Sequence, residues 1–286
     1  MFKRTLGAVG LVVSMAAVWV GAPLAQGGDH SILLTILDKD GAPLRDLKPD
    51  EFIVQDGGER KDVTAAALTT DPLDVALVVD TAKPTIGSQF PTRELRDGLA
   101  ALVKAVYAEN PQSRVSLMEY AGAAVQTVDY TNDGDKILKS VNRLVASQRS
   151  SGVLLEGLLD TGKDLQKSKT LRRAIVVVSL GSPDDGQTQP RDAAMAIQKA
   201  GASFWAVAVG TSAPAREVIF ENLPPITGGQ RLTMVAPTGL VAALTKVGAA
   251  LTSQYVVTFK SAGAPSQNLA AGAKRGEKVL MSPVVR

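Results

Sequence analysis

Asp80 is the residue whose type and setting most invite chemistry. It ends the run Leu73-Asp74-Val75-Ala76-Leu77-Val78-Val79-Asp80-Thr81, an apolar strand that delivers a carboxylate at its carboxyl end. In open α/β sheets, ligands bind at such strand ends. A carboxylate there can ligate a hard cation, act as an acid or base, or accept N–H groups of the following turn. Other candidates are weaker. Asp184-Asp185 lies in a Gly/Pro loop and reads as solvated surface. Gly157-Leu158-Leu159-Asp160-Thr161-Gly162-Lys163-Asp164 nearly matches a phosphate loop, but its last position is an acid that repels phosphate, and the segment has the pattern of an amphipathic helix interior. The chain has no cysteine and a single histidine, His30. Disulfides, zinc–thiolate sites and thiol nucleophiles are thereby excluded, and no serine triad is expected. His30 follows the leader closely and is expected in a mobile end. Trp205 lies inside an apolar strand and is expected in the core.

The elements that must hold Asp80 follow from periodicity. Val75–Val79, Ala174–Val178 and Phe204–Val209 are continuous apolar runs, and Val115–Tyr120 is a strand-like run interrupted by Ser116 and Glu119. Unbroken rather than alternating apolar strands indicate a sheet covered on both faces. Helix-like stretches alternate with them near Thr92–Tyr107, Asp133–Val145, Leu154–Gln166, Arg191–Ala200 and Leu240–Thr252. Ala123–Val128 reads as an antiparallel edge strand, and the segment with Pro224-Pro225 and Gly228-Gly229 reads as a loop. The pattern predicts a doubly wound, mostly parallel α/β sheet over 73–252. Before it, residues 31–70 predict a small β unit: Ile32–Leu37, Glu51–Gln55 and Asp62–Leu68, punctuated by Asp40-Gly41 and Asp56-Gly57-Gly58. Residues 253–286 add candidate strands Tyr255–Lys260 and Lys278–Met281, expected to pair with that unit.

Of the 286 residues, 45% are hydrophobic and 21% charged, an ordinary globular composition. Residues 1–26 read as an export signal, with Lys3 and Arg4 ahead of an apolar stretch Leu6–Val20 and then Gly21-Ala22-Pro23-Leu24-Ala25. Cleavage after Ala22 or Ala25 and retention as a membrane anchor are the two alternatives. The formal net charge of +3 falls to +1 once Lys3 and Arg4 are set aside. The remaining basic pairs, Arg172-Arg173 and Lys274-Arg275, read as solvated surface, so no nucleic-acid partner is expected.

The Asp80 strand end resembles the first strand of von Willebrand factor A domains, which finishes in Asp-x-Ser-x-Ser. Leu37-Asp38-Lys39-Asp40-Gly41-Ala42-Pro43-Leu44-Arg45-Asp46-Leu47, Asp50-Glu51-Phe52, Asp56-Gly57-Gly58 and Ser253-Gln254-Tyr255 are similar to the flanks of a bacterial family called VWFA-related. The resemblance spans roughly 31–260. It implies a site for a divalent cation, usually Mg²⁺, built from an Asp and two hydroxyls on the first loop, a Thr on a second and an Asp on a third. In this chain Asp80 keeps the first acid, Ala82 and Pro84 stand at the two serines, Gly152 at the threonine and Leu180 at the second acid. One carboxylate is too few ligands for Mg²⁺. The expectation is therefore a secreted or periplasmic interaction module, not an enzyme and without a cofactor, whose face around Asp80, Ala82, Pro84, Gly152 and Leu180 meets an unidentified protein partner. Three alternatives stand beside it: metal-dependent adhesion through Asp80, Ser151 and Asp184 or Asp185, a carboxylate-based hydrolase, and a purely structural envelope protein.

Overall fold

The computed structural model describes residues 14–15, 28–83, 89–211 and 213–285. Pro84 and nearly all of the expected leader lie outside the described residues. In chain order the first strands are β1 (Ser14–Met15), β2 (Gly28–Leu37), β3 (Phe52–Asp56), β4 (Glu59–Lys61) and β5 (Val63–Leu68). The central layer follows with β6 (Leu73–Asp80), α1 (Thr92–Glu109), β7 (Arg114–Tyr120), β8 (Ala124–Thr131), α2 (Gly134–Val141), α3 (Leu154–Gln166), β9 (Arg172–Ser179), α4 (Pro190–Ala200), β10 (Ser203–Val209), α5 (Pro214–Thr227), β11 (Arg231–Met234) and α6 (Leu240–Leu251). The chain then runs through β12 (Tyr255–Ser261), β13 (Leu269–Ala273) and β14 (Lys278–Val285).

The six central strands lie in the order β11-β10-β9-β6-β7-β8. All pairings are parallel except the edge strand β8, which runs antiparallel to β7. The winding goes outward from β6 on one side and outward from β9 on the other, so the order reverses between these two strands. A crevice opens at their carboxyl ends.

Successive strand residues point to opposite faces, and both faces are buried. On one face Val75, Leu77, Val79, Val176, Val178 and Trp205 pack against α1 and α6. On the other, Ala76, Val78, Ile175, Val177, Phe204 and Ala206 pack against α3, α4 and α5. This two-sided burial is why the strands read as unbroken apolar runs.

The terminal strands build two further four-stranded antiparallel sheets, β14-β2-β12-β5 and β1-β13-β3-β4. Ile32, Leu34, Ile36, Phe52, Val54, Val257, Phe259 and Met281 form their shared core. Leu37 and Leu280 join the core of the central layer, and Thr35 Oγ1 donates to the Ala250 carbonyl at 3.2 Å, so the two units pack together.

Several sequence expectations need correction. Residues 214–227 form helix α5 where a loop was expected, despite Pro224 and Pro225. Ile219, Phe220, Leu223 and Pro224 are buried on the sheet, and that packing outweighs the propensity penalty of two prolines near the end. Gly228, at φ 68°, closes the helix, and the Gly229 N–H returns to the Pro224 carbonyl at 3.0 Å. Strands β1, β4, β11 and β13 were not anticipated, and α2 ends four residues sooner than expected. Arg172 is not solvated: it is 1% exposed and donates to the Leu251 carbonyl at 2.7 Å, to Gln254 Oε1 at 2.9 Å and to Glu109 at 3.1 Å. Arg173, half-buried, donates to the carbonyls of Ser168, Thr170 and Ala200. His30 lies in β2, opposite Phe259 of β12, rather than in a mobile end.

Candidate functional site

Loops leaving β6 and β9, together with the segment entering α3, meet at the carboxyl-end crevice. Asp80, the last residue of β6, is fully buried. Its Oδ1 accepts the Ala82 N–H at 3.1 Å. Its Oδ2 accepts the Leu180 N–H at 3.0 Å, the Ser182 N–H at 3.4 Å and the Ser182 hydroxyl at 2.8 Å. Gly181 between them has φ 80°, a left-handed conformation that turns Ser182 back towards the acid. Both carboxylate oxygens are thus taken up by donors of the protein itself.

A second charge lies beside this network. Arg216, in the first turn of α5, has a side chain with 0% exposure. Its Nε donates to Asp184 Oδ2 at 2.7 Å, Nη1 to the Ser182 carbonyl at 2.8 Å and to Ser182 Oγ at 3.1 Å, and Nη2 to the Pro183 carbonyl at 3.1 Å. The guanidinium carbon also sits 5.3 Å from the centre of the Tyr120 ring. Burial works against the charge, but Tyr120, Asp184 and Asp80 outweigh it and hold the Arg216 pKa above its usual value. Tyr120 is pushed well above the ordinary phenol range, first by burial and then by the Asp80 charge. The Ser182 hydroxyl donates to Asp80 and accepts from Arg216, so the order is carboxylate, hydroxyl, guanidinium, carboxylate.

Gly152 completes the packing. Its N–H donates to the Pro183 carbonyl at 2.8 Å, and its own carbonyl accepts the Asp185 N–H at 3.1 Å. A Cβ here would stand 2.8 Å from the Tyr120 ring, 3.0 Å from Arg216 Nη2 and 3.1 Å from Ser182 Oγ. The space for a side chain is already filled.

The structure brings Asp80, Ala82, Gly152 and Leu180 to one place. Ala82 and Leu180 line an open cleft of about 430 Å³ with Lys83, Val209, Val235 and Pro237. Asp80 and Gly152 lie beneath that cleft, buried. Val235, on its rim, is 97% exposed. Asp184 is not the solvated surface acid expected: its side chain is 8% exposed and engaged by Arg216, while Asp185 is exposed. Tyr120, Ser182 and Arg216 went unnoticed in the sequence. For Arg216 the available signal was Pro214-Ala215-Arg216-Glu217, a proline-led helix start.

A divalent ion needs several free oxygen ligands in near-octahedral array. Here Ala82 and Leu180 are apolar, Gly152 has no side chain, Asp80 is saturated by protein donors, and Asp184 and Ser182 hold a guanidinium. Among the described residues no group of three or more His, Cys, Asp or Glu is placed to hold a metal ion. These residues do not fit a divalent cation.

No curated protein matches the chain. Among solved structures, proximal thread matrix protein 1 from the mussel byssus superposes with a TM-score of 0.53 at 14% identity, over 73% of this chain and 50% of that one. The chain therefore spans about half the length of the mussel protein. A second structure of that mussel protein, with TM-score 0.53 at 15% identity over 72% of this chain and 50% of that one, has a zinc-occupied MIDAS motif. A von Willebrand factor type A protein from Catenulispora acidiphila superposes with a TM-score of 0.51 at 11% identity, over 90% of this chain and 74% of that one. At these identities the likeness is one of fold. The profile of the von Willebrand factor type A domain matches residues 74–231, more than half of the chain, from β6 to the first residue of β11, and the chain belongs to that family.

Proposed function

We propose that the chain is an exported interaction and adhesion module that grips a protein partner at the β6/β9 cleft without a bound metal ion, and that it is not an enzyme. The observation that carries this reading is the closed network of Asp80, Ser182, Arg216 and Asp184, which commits the acids of the crevice to internal partners. What it leaves for a partner is a cleft of mixed lining, with Ala82, Leu180, Val209 and Pro237 beside Gln89, Ser182 and Thr211, and with Lys83 and Val235 exposed on its border. An acid whose two oxygens already accept four hydrogen bonds from the protein is poorly placed to move protons for a substrate, which favours binding over hydrolysis. Export rests on the leader reading of residues 1–26, with retention as an anchor as the alternative. No helix among the described residues is long and apolar enough to cross a membrane.

A photo-crosslinking residue at Lys83 or Val235 tests the proposal, with Met195 on α4 as the control. Adducts to a partner from the cleft positions, absent from Met195 and unchanged by chelator, support it. Adducts that form only with Mg²⁺ or Mn²⁺ would favour the metal-dependent alternative, and equal labelling from Met195 would remove the cleft from the proposal.

A further inference from the structure

We infer that Arg216 is this protein's own cation at the crevice: its guanidinium shares the Ser182 hydroxyl with Asp80 and lies against Gly152, two positions that the family resemblance assigns to metal ligands, and the oxygens around it form a latent divalent-cation site that removal of Arg216 would unmask. The inference concerns the buried network and holds wherever a partner docks.

The hydrogen-bond acceptors of Arg216 are all oxygens: Asp184 Oδ2, the Ser182 carbonyl, Ser182 Oγ and the Pro183 carbonyl, at 2.7 to 3.1 Å, with the Tyr120 ring on the remaining side. Asp80 Oδ2 lies one hydrogen bond further on, through the Ser182 hydroxyl. Carboxylate, hydroxyl and carbonyl oxygens are the ligand types of hard divalent cations. Guanidinium satisfies the same set differently. It carries a permanent positive charge, presents five N–H donors in a plane, and needs no dehydrated ion to be recruited.

Two further features make the replacement specific. Any side chain at residue 152 would press on Arg216 Nη2, so the glycine on the second loop and the arginine on α5 are sterically linked. Asp184 comes from the third loop, four residues beyond Leu180, and supplies the acid that Leu180 lacks, but aims it at the guanidinium. The positive charge also balances two buried carboxylates, which would otherwise repel each other and lack a counter-charge. With a buried side chain, Arg216 cannot touch a partner itself. It acts by positioning the loops after β6 and β9.

The test uses the full chain as wild type, Arg216→Lys, Arg216→Met and the double variant Arg216→Met/Asp184→Asn. Melting temperatures are read in chelator and then with millimolar Mg²⁺, Ca²⁺ or Mn²⁺, and Tb³⁺ serves as an optical probe because Tyr120 is close enough to sensitise its emission. The wild type should show neither a cation-dependent shift nor Tyr-sensitised emission. Arg216→Lys should keep most of the stability. Arg216→Met should melt lower by on the order of 10 °C, recover part of the loss with divalent ions, lose it again in chelator, and show Tb³⁺ emission. Adding Asp184→Asn should abolish both responses. If Arg216→Met does not fold in chelator, folding on addition of Ca²⁺ or Mg²⁺ supports the inference, and a chain that stays unfolded with cations present overturns it. An unchanged melting temperature in Arg216→Met, a loss that no cation relieves, or Tb³⁺ emission from the wild type that Asp184→Asn removes would also overturn it.

Discussion

Asp80 offers the sharpest separation between an internal acceptor and a metal ligand. The carboxylate is fully buried and accepts four hydrogen bonds, one on Oδ1 and three on Oδ2. Asp80→Ala leaves the N–H groups of Ala82, Leu180 and Ser182 without an acceptor and takes a counter-charge from Arg216. Hydrogen bonds to a charged group contribute about 1.5–3 kcal/mol each and are not additive, and losing one partner of a buried charged network costs about 3–5 kcal/mol in total. At roughly 2–4 °C per kcal/mol for a protein of this size, the melting temperature should fall by roughly 10 °C. Asp80→Asn is the finer probe. Its single oxygen can serve the Oδ2 donors, but its NH₂ then faces the Ala82 N–H and the negative charge is gone. The expected order of stability in chelator is wild type, then Asp80→Asn, then Asp80→Ala. A metal ligand behaves otherwise: with the ion stripped, removing its acid leaves stability unchanged or raises it. Thermal melts in chelator decide between the two, and variants that melt with the wild type there but diverge once Mg²⁺ is added would refute the internal-acceptor reasoning.

Three further outcomes follow from the same structure. Gly152→Thr, which restores the family's usual residue, should destabilise by about 1–3 kcal/mol because its Cβ meets the Tyr120 ring and Arg216 Nη2; the penalty should shrink in an Arg216→Ala background, and additive losses in a double-mutant cycle would disprove the steric link. Arg172→Met should cost about 3–5 kcal/mol in denaturant melts, since it strands the Glu109 carboxylate and the Leu251 carbonyl; a change near zero would show that the buried guanidinium ties nothing together. Glu51 is held at about 2, below the usual 4.5, first by the Arg275 side chain and then by the Lys48 N–H. The unfolded chain takes up that proton first, so the contribution is whole above about pH 4.5 and disappears as pH falls towards 2. Glu51→Gln should flatten the stability–pH curve in that window, by a small amount because the pair is exposed, and an unchanged slope would remove Glu51 from the acid response.

Where a residue's role was set by its own stretch of chain, the sequence reading was sufficient. The middles of β6 and β9, Val75–Val79 and Ala174–Val178, are apolar without a break, so they stand out without knowledge of their neighbours. Helix α1 shows its buried face in the spacing of Leu95, Leu99, Leu102, Val103 and Val106. The misreadings arose where the deciding contact is distant. Pro224-Pro225 is a break signal on any local scale, and only the burial of Ile219, Phe220 and Leu223 on the sheet keeps α5 helical past it. Arg172 and Arg216 look in sequence like any surface arginine. Their partners lie far along the chain: Glu109 is 63 residues from Arg172, and Asp184 is 32 residues from Arg216. No periodicity carries that information, so Asp80 was legible at the crevice and the guanidinium that neutralises it was not.

The tether of Arg216 to α5 bears on how the crevice can respond to a partner. A dissociable ion at a strand end lets ligand binding and loop position change together, because the ligand can complete the ion's shell and favour one arrangement. A guanidinium carried by the chain leaves no such vacancy: all its contacts are made at once by Ser182, Pro183 and Asp184. Moving α5 or the loop after β9 independently would strand a buried cation and a buried acid, at a cost of about 3–5 kcal/mol. A partner can shift such an equilibrium only by its difference in affinity for the two arrangements, and contacts to Lys83, Leu180 and Val235 on the cleft surface do not reach the buried charges. The crevice should therefore act as a preset surface, with recognition governed by the shape of the cleft and the loops held rigid from below.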